Sequence, residues 1–321
     1  TLGPVLYKTE EVFQRTIIML GVPFIFVLTL ILAKGSDWIS LAQGLIGNGD
    51  GYWFLPVGIP LASFLGAFAY AGAGGNLNLA QSFYVKEKGY GMGKYSGRIT
   101  SILTGPPVGE ASKKVELEGT TFEANEENVN RFKHWWKLIN IEHLAVFWFT
   151  GAFGMLLLSL LAYSTVFDLP TTGLNFVIAE AVVIGTKTMP IVGTLFLGVA
   201  ALMLFSTQVG VFDTTSRILT ENLSLISQKY FPTNTIQRNF YLFLWLQIAL
   251  GVIIFALDFA EPLTLVIIGA VLNAFAMFVH IGLTLWLNLT SLEKPLRPSL
   301  LRIGAMLVAF LSLGGFSLFT F

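Results

Sequence analysis

The chain has 321 residues, with 19 Lys and Arg, 19 Asp and Glu, and no cysteine, so its formal net charge at pH 7 is zero. Hydrophobic residues make up 54% and charged residues 12%, whereas a soluble domain usually carries about 25% charged residues. The composition predicts an all-α integral membrane protein. It gives no support to nucleic-acid binding, and the lack of cysteine excludes a disulfide framework and thiolate chemistry.

Seven segments are apolar and long enough to cross the roughly 30 Å hydrocarbon layer of a bilayer. With the N-terminus in the cytoplasm, only Lys34 and Lys187 among the basic residues lie outside, which agrees with the positive-inside rule. We therefore expect a cytoplasmic N-terminus, and we take the plasma membrane of a bacterium as the expected location. The predicted spans are residues 14–33, 55–86, 141–166, 190–212, 239–257, 262–287 and 300–320.

The longest connection between spans covers residues 87–137 and carries charges of both signs together with the turn-rich run TGPPVGEASKK. We predict a partly ordered cytoplasmic loop within a single transmembrane domain that covers the whole chain. An interfacial helix at residues 125–138 is the alternative for its last part, because aromatic and basic side chains are interleaved there.

The second span contains the run AYAGAGGNLNLAQ, residues 69–81. Each of its three clustered glycines lowers helical propensity by about 1 kcal/mol relative to alanine. A straight helix over the whole span would be roughly 45 Å long, which is more than one crossing needs. We predict half-helices at 55–71 and 76–86, with non-helical backbone at Gly72–Gly75 near the middle of the bilayer.

Non-helical backbone at membrane depth is tolerated only inside protein or beside a watery cavity. Transporters use such breaks to bind ions or substrates through freed carbonyls and helix ends. After the break, Asn78, Gln81 and Ser82 follow helical spacing, which predicts a polar stripe that lines a cation pathway. The alternative is structural, because small residues let helices pack closely and amides hydrogen-bond between helices.

Several other polar residues lie within predicted spans. Asp213 and Arg217 are four residues apart, which suits an ion pair near the cytoplasmic end, with gating or proton coupling as the alternative. Gln208 is a candidate to face the pathway. His280 is a functional candidate because it lies inside a span, and its alternative is a hydrogen bond between helices. The adjacent Glu142 and His143 suit either an interfacial position or a proton shuttle.

The chain resembles a known family in several segments. VGIPLASFLGAFAYAGAGGNLNLAQSFYVKEKG is similar to the broken sixth helix of the Nramp divalent-metal transporters. VLYKTEEVFQRTIIMLGVPFIFVLTLILAKGSDW is similar to the fifth, GTLFLGVAALMLFSTQVGVFDTTSRILTENL to the eighth and PLTLVIIGAVLNAFAMFVHIGLTL to the tenth. The resemblance implies a partial LeuT/APC-type inverted-repeat fold that covers the family's helices five to eleven. We then expect further spans upstream, and we expect these 321 residues alone not to transport.

The resemblance also implies a metal site, from which this chain departs. Ala71 stands at the alanine whose carbonyl binds metal, but Gly74 stands at the methionine and Asn76 at the histidine. Gly269 stands at the glutamine of the tenth helix, with Asn273 one turn further on. The resemblance implies contacts with a divalent cation at the carbonyl of Ala71, the space left by Gly74, and the amides of Asn76, Asn78, Gln81 and Asn273.

The missing thioether bears on which ion is carried. Oxygen and amide donors suit hard ions, whereas a methionine sulfur favours softer transition metals. Glycine in place of methionine also leaves room for the waters that Mg²⁺ retains. We predict a secondary transporter of divalent cations that favours Mg²⁺ or Mn²⁺, uses no cofactor and leaves proton coupling open. The alternative is a LeuT-fold symporter of another ion or small organic solute.

Two further function classes have sequence features against them. A seven-span receptor would place its N-terminus outside, against the distribution of basic residues. A membrane-embedded enzyme would need a reactive motif, and the sequence has no Asp-rich diphosphate motif, no paired intramembrane carboxylates and no His-x-x-x-His pattern. We therefore expect that the protein is not an enzyme.

Overall fold

The computed structural model describes residues 6–49, 52–53, 58–70, 76–95, 121–171, 173, 175–257 and 261–320, without the side chains of 6–8, 65, 76–78, 319 and 320. It is 85% helical, and its described strands, β1 (Asn48–Gly49) and β2 (Tyr52–Trp53), form one short antiparallel pair. The helices are α1 (Leu6–Leu32), α2 (Gly35–Leu45), α3 (Leu61–Tyr70), α4 (Asn76–Lys88), α5 (Glu126–Glu142), α6 (Thr150–Val166), α7 (Asn175–Lys187), α8 (Pro190–Ile226), α9 (Ile236–Ala256), α10 (Pro262–Ser291) and α11 (Leu300–Thr320).

Six helical segments within the described residues are long and apolar enough to cross a membrane. They correspond to six of the seven predicted spans, so the all-helical prediction is confirmed and the chain is consistent with an integral multi-pass membrane protein. The segments are Thr9–Leu32, Glu126–Val166, Pro190–Ile226, Thr233–Ala256, Pro262–Ser291 and Leu300–Leu318.

The remaining predicted span, 55–86, contains α3 and α4. The predicted start at residue 55 is wrong for residues 58–60, because Gly58 has a φ of +91° and the helix begins only at Leu61. Pro60 accepts the first helical hydrogen bond from the backbone N–H of Phe64, and proline suits a helix start because it has no N–H of its own. Residues 71–75 lie outside the described residues, so the break at Gly72–Gly75 stays a prediction.

The predicted loop 87–137 ends earlier than expected. α5 begins at Glu126 and continues through a π-helical segment, His143–Phe149, into α6. The Asn125 side chain caps α5 by accepting a 2.9 Å hydrogen bond from the backbone N–H of Asn128, and two glutamates in the first turn suit the positive end of the helix dipole. The loop prediction is therefore wrong for residues 126–137, and the alternative of a helix there is confirmed.

The helices pack in two groups around separate apolar clusters. One cluster joins α1, α6, α7 and α8, and a second joins α3, α10 and α11. α3 packs against α10, whereas α4, which contributes to neither cluster, packs mainly against α8 and also contacts α10. Residues 71–75 therefore link a helix of the second group to a helix that packs mainly on α8. The first cluster consists of Ile25, Leu28, Leu157, Leu161, Ala181, Ile184 and Phe196, and the second of Ala69, Val271, Ala274 and Leu313.

Candidate functional site

The C-terminal end of α3, which leads into the junction between α3 and α4, packs against α10. The side-chain amide of Asn273 donates a 3.3 Å hydrogen bond to the hydroxyl of Tyr70, the last residue of α3. A Cβ atom added to Gly269 would lie 3.3 Å from the same hydroxyl. Gly269 therefore leaves the space that the Tyr70 hydroxyl occupies, and a larger side chain there would displace it.

The α3–α10 packing explains this close arrangement. A Cβ atom on Gly66 would lie 3.4 Å from the Cβ of Ala270, so the two backbones approach each other closely one turn before the junction. Three alanines at this contact are almost completely buried: Ala69, Ala270 and Ala274. Small side chains on both helices thus bring the end of α3 against α10 and place Tyr70 beside Asn273.

The structure describes the side chains of only some of the predicted cation contacts. Ala71 and Gly74 lie outside the described residues. Asn76 and Asn78 belong to the first turn of α4, but their side chains lie outside the description. Gln81 is exposed on α4, and Asn273 is the predicted contact that the fold brings to the junction.

Tyr70 was missed by sequence reasoning. Its signal is a polar-tipped aromatic residue at the last position before a glycine run, and the hydroxyl of such a residue usually finds a hydrogen-bond partner. Together with Asn273 it gives the described part of the junction a neutral set of oxygen and amide groups. Among the described residues, no group of three or more His, Cys, Asp or Glu side chains is arranged to hold a metal ion.

The other end of α4 lies in a charged and dry environment. Arg217 of α8 donates from Nη1 to Glu87 Oε1 at 2.7 Å and from Nε to Asp213 Oδ2 at 2.8 Å. The predicted Asp213–Arg217 pair is confirmed, and Arg217 is 2% exposed. The ring of Phe240 from α9 lies 5.6 Å from the guanidinium carbon, which adds a cation–π contact to the ion pairs.

Glu10 of α1 joins the same cluster. It is buried, accepts a 2.9 Å hydrogen bond from Gln14 and interacts electrostatically with Asp213 and Arg217. A Cβ atom on Gly210 would lie 3.4 Å from Glu10 Oε1 and 3.1 Å from Gln14 Nε2, so glycine lets α1 approach α8 here. We call Glu10, Glu87, Asp213 and Arg217 the ionic cluster.

A neutral contact lies beside the ionic cluster. The hydroxyls of Tyr84 and Thr214 are hydrogen-bonded at 2.9 Å, which ties α4 to α8 one turn from Glu87. Four buried atoms of the ionic cluster have no hydrogen-bond partner among the described residues: Glu10 Oε2, Glu87 Oε2, Asp213 Oδ1 and Arg217 Nη2. A buried polar atom without a partner is costly, so the ionic cluster is incompletely satisfied in this arrangement.

Glu10 and Glu87 were also missed by sequence reasoning. Glu87 looks like a loop charge in the run VKEKG, and Glu10 looks like one of several charges that precede the first span. Their only sequence signal is a carboxylate at the end of an apolar helix. The partner that neutralises it lies 130 residues away for Glu87.

Among the remaining candidates, Glu142 and His143 contact residues outside both sites. Gln208 is exposed on α8, and His280 is partly exposed on α10. Glu142 pairs with Lys88 and accepts a 2.9 Å hydrogen bond from the hydroxyl of Tyr90, whereas the ring of His143 stacks on Phe147 at 4.7 Å. Glu142 and His143 thus face different partners, which does not favour a proton shuttle between them.

Comparisons with protein-family models, with curated proteins and with solved structures found no match. The resemblance to the Nramp family therefore remains an expectation from the segments quoted above.

Proposed function

We propose that the protein containing this chain is a secondary transporter of divalent cations that favours hard ions such as Mg²⁺ and Mn²⁺. The observation that carries the proposal is the junction at residues 71–75. It is rich in glycine and links α3, which packs against α10, to α4, which packs mainly against α8, and it directly follows Tyr70, whose hydroxyl accepts a hydrogen bond from the Asn273 amide. We also propose that the N-terminus faces the cytoplasm of a bacterial plasma membrane.

The position of the junction suits alternating access. Transporters of the inverted-repeat class bind substrate where a discontinuous helix crosses between two parts that rock against each other. Here α3 packs on α10 while α4 is tied to α8 by Glu87 and Tyr84. A movement of one packing group relative to the other would change the geometry at the junction directly.

The proposed preference for hard divalent cations follows from the chemistry of the donor groups. The contacts are the carbonyl of Ala71, the space at Gly74, and the amides of Asn76, Asn78, Gln81 and Asn273. Tyr70 acts as a positioning residue that orients Asn273. These are neutral oxygen and amide groups, which suit hard cations that keep part of their water shell.

Uptake competition between Mg²⁺, Mn²⁺ and Cd²⁺ in proteoliposomes of the full-length protein tests the proposal. Gly74→Met adds a thioether and should shift uptake toward Cd²⁺. Gly74→Leu is the matched control, because it adds similar volume without sulfur and should lower uptake of all three ions together. A strong Cd²⁺ preference in the wild type that Gly74→Met leaves unchanged would contradict the proposal.

A second candidate is a symporter of a monovalent ion or a small organic solute. The observation that favours it is the lack of a carboxylate among the described groups of the junction, since amides and hydroxyls also suit uncharged polar ligands. Folded full-length protein that transports none of the three divalent ions would support this candidate.

A further inference from the structure

Residues of four described helices surround the ionic cluster. α1 contributes Glu10, α4 contributes Tyr84, Lys86 and Glu87, and α8 contributes Asp213, Arg217 and Glu221, while α9 contributes the uncharged ring of Phe240. Lys86 interacts with Glu221, which lies one turn beyond Arg217 on α8. Among the side chains that the structure describes, Arg217 is the cation shared by the three carboxyl groups of the ionic cluster.

Charge counting shows a deficit of positive charge. Arg217 already donates to two carboxylates, through Nε to Asp213 and through Nη1 to Glu87. Within the described residues, Glu10 Oε1 accepts a hydrogen bond from the neutral amide of Gln14, and Glu10 Oε2 is buried without a hydrogen-bond partner. An ionised carboxylate in such a place costs several kcal/mol unless it is paired, and a proton removes that cost without requiring a further side chain.

We propose that Glu10 is a proton-binding site that controls the contact between α1 and α8. With the proton bound, Glu10 is neutral and lies against Gly210, and α1 stays packed on α8. When the proton leaves to water, Glu10 carries a negative charge beside Asp213, whose charge repels it. Glu10 lies in the second turn of α1, which begins at Leu6, so this end of the helix can tilt toward water and separate from α8.

The inference does not rest on the identity of a transported ion. It concerns the packing of α1 on α8, which can be measured without transport. Because the chain has no cysteine, a single introduced cysteine reports on one position without background. Ser206 is buried on α8 and lies between Met203 and Gly210, both of which approach α1 residues. Ser206→Cys therefore reports the opening of this interface.

The experiment measures the rate at which a water-soluble thiol reagent labels Ser206→Cys at mildly acidic and mildly alkaline pH. Asn222→Cys is the matched control, because Asn222 is exposed on the same helix beyond the predicted span 190–212 and its rate gives the pH dependence of thiolate formation alone. We expect the ratio of the two rates to rise several-fold as pH increases. Glu10→Gln should hold the ratio low at every pH, whereas Glu11→Gln, at an exposed neighbour, should leave the rise unchanged.

Three outcomes would overturn the proposal. The first is a ratio that does not change with pH, and the second is a rise that persists in Glu10→Gln. The third is a ratio that depends on sodium at constant pH and loses that dependence in Glu10→Gln, which would assign the site to a metal cation.

A measurement on the unmodified chain covers the case in which Glu10→Gln does not fold. A membrane-soluble carbodiimide reacts with protonated buried carboxyl groups, and mass spectrometry locates the adduct. We expect modification at Glu10 that declines with increasing pH. Modification of Glu87 or Asp213 with Glu10 untouched would contradict the proposal.

Discussion

The two ends of α4 lie in opposite electrostatic surroundings. Its first residue follows the glycine-rich junction, where the described contact is a 3.3 Å hydrogen bond between neutral groups of Asn273 and Tyr70. Near its other end, Glu87 is bound at 2.7 Å by Arg217, and both side chains are almost fully buried. α4 is therefore held firmly to α8 near its C-terminal end, whereas the contact described beside its N-terminal end is one long hydrogen bond between neutral groups.

The difference agrees with the proposed function. Under that proposal, a site that binds and releases a cation needs moderate interactions, whereas a helix that moves as one piece with α8 needs a strong attachment. Buried ion pairs bring little net stability relative to apolar residues, but they are costly to break. The ionic cluster thus attaches the C-terminal end of α4 to α8.

The largest expected effect is at the ionic cluster. Arg217→Met leaves the carboxylates of Glu87 and Asp213 buried without a cation, so the free energy of unfolding should fall by about 3–5 kcal/mol. Denaturant unfolding in detergent measures the change. The matched control adds Glu87→Gln and Asp213→Asn to the same variant and should recover most of the loss. Equal stability of Arg217→Met and wild type would show that the two ends of α4 are not held differently.

Glu180 is a buried carboxyl group without an arginine partner among the described residues, so it can be compared with the arginine-paired carboxylates of the ionic cluster. Glu180 of α7, outside the six long apolar segments, is 4% exposed, and burial raises its pKa to about 7. The pKa of Glu180 is higher in the folded protein than in the unfolded chain. Below the unfolded pKa of about 4.5 the carboxyl is neutral in both states and its contribution to stability is complete. That contribution is lost as pH rises through about 7, because the buried carboxyl must then ionise.

We therefore expect Glu180→Gln to match wild type near pH ~4, below the unfolded pKa, and to be more stable near pH ~8, on the order of 2–3 kcal/mol. Unfolding curves at the two pH values measure the difference. Glu293→Gln, at an exposed position, should have no such effect. A variant that is less stable than wild type at the higher pH would mean that Glu180 has a cationic partner.

An intermediate effect is expected beside the ionic cluster. Tyr84→Phe removes the hydrogen bond to Thr214 and should lower the free energy of unfolding by about 1 kcal/mol, the usual net value of a neutral hydrogen bond. Thermal unfolding measures it, and Tyr95→Phe, at an exposed tyrosine, serves for comparison. A loss as large as that in Arg217→Met would place the main attachment of α4 at the tyrosine.

The smallest effect on stability is expected at the junction. Asn273→Ala removes a long hydrogen bond at an exposed hydroxyl, so the free energy of unfolding should change by less than about 1 kcal/mol. Uptake should nevertheless fall strongly, since the amide is a proposed cation contact. A variant that is markedly unstable would show that Asn273 has a structural role.

Local features were predictable from the sequence where they depend on short-range patterns. The long spans follow from hydropathy, the Asp213–Arg217 pair from its spacing of four, and the α5 alternative from interleaved aromatic and basic residues. Long-range partners were not predictable. Tyr70 and Asn273 are 203 residues apart, and neither residue type indicates which helix will face it.

The start of α3 shows a second reason why prediction from the sequence fails. Hydropathy places residues 58–60 in a span, but a positive φ at Gly58 and a proline at 60 begin the helix later. The carboxylates of Glu10 and Glu87 show a third reason, because a charge at a helix end has the same sequence pattern whether it faces water or a buried arginine.

Direct measurement of Mn²⁺ binding to the purified full-length protein tests the central claim that the neutral junction, rather than the ionic cluster, holds the cation. Electron paramagnetic resonance counts free Mn²⁺ in a titration. The account predicts that Asn273→Ala weakens binding by about tenfold or more, equivalent to ~1.4 kcal/mol, while Glu87→Gln leaves the affinity unchanged. Unchanged affinity in Asn273→Ala together with loss of binding in Glu87→Gln would contradict it.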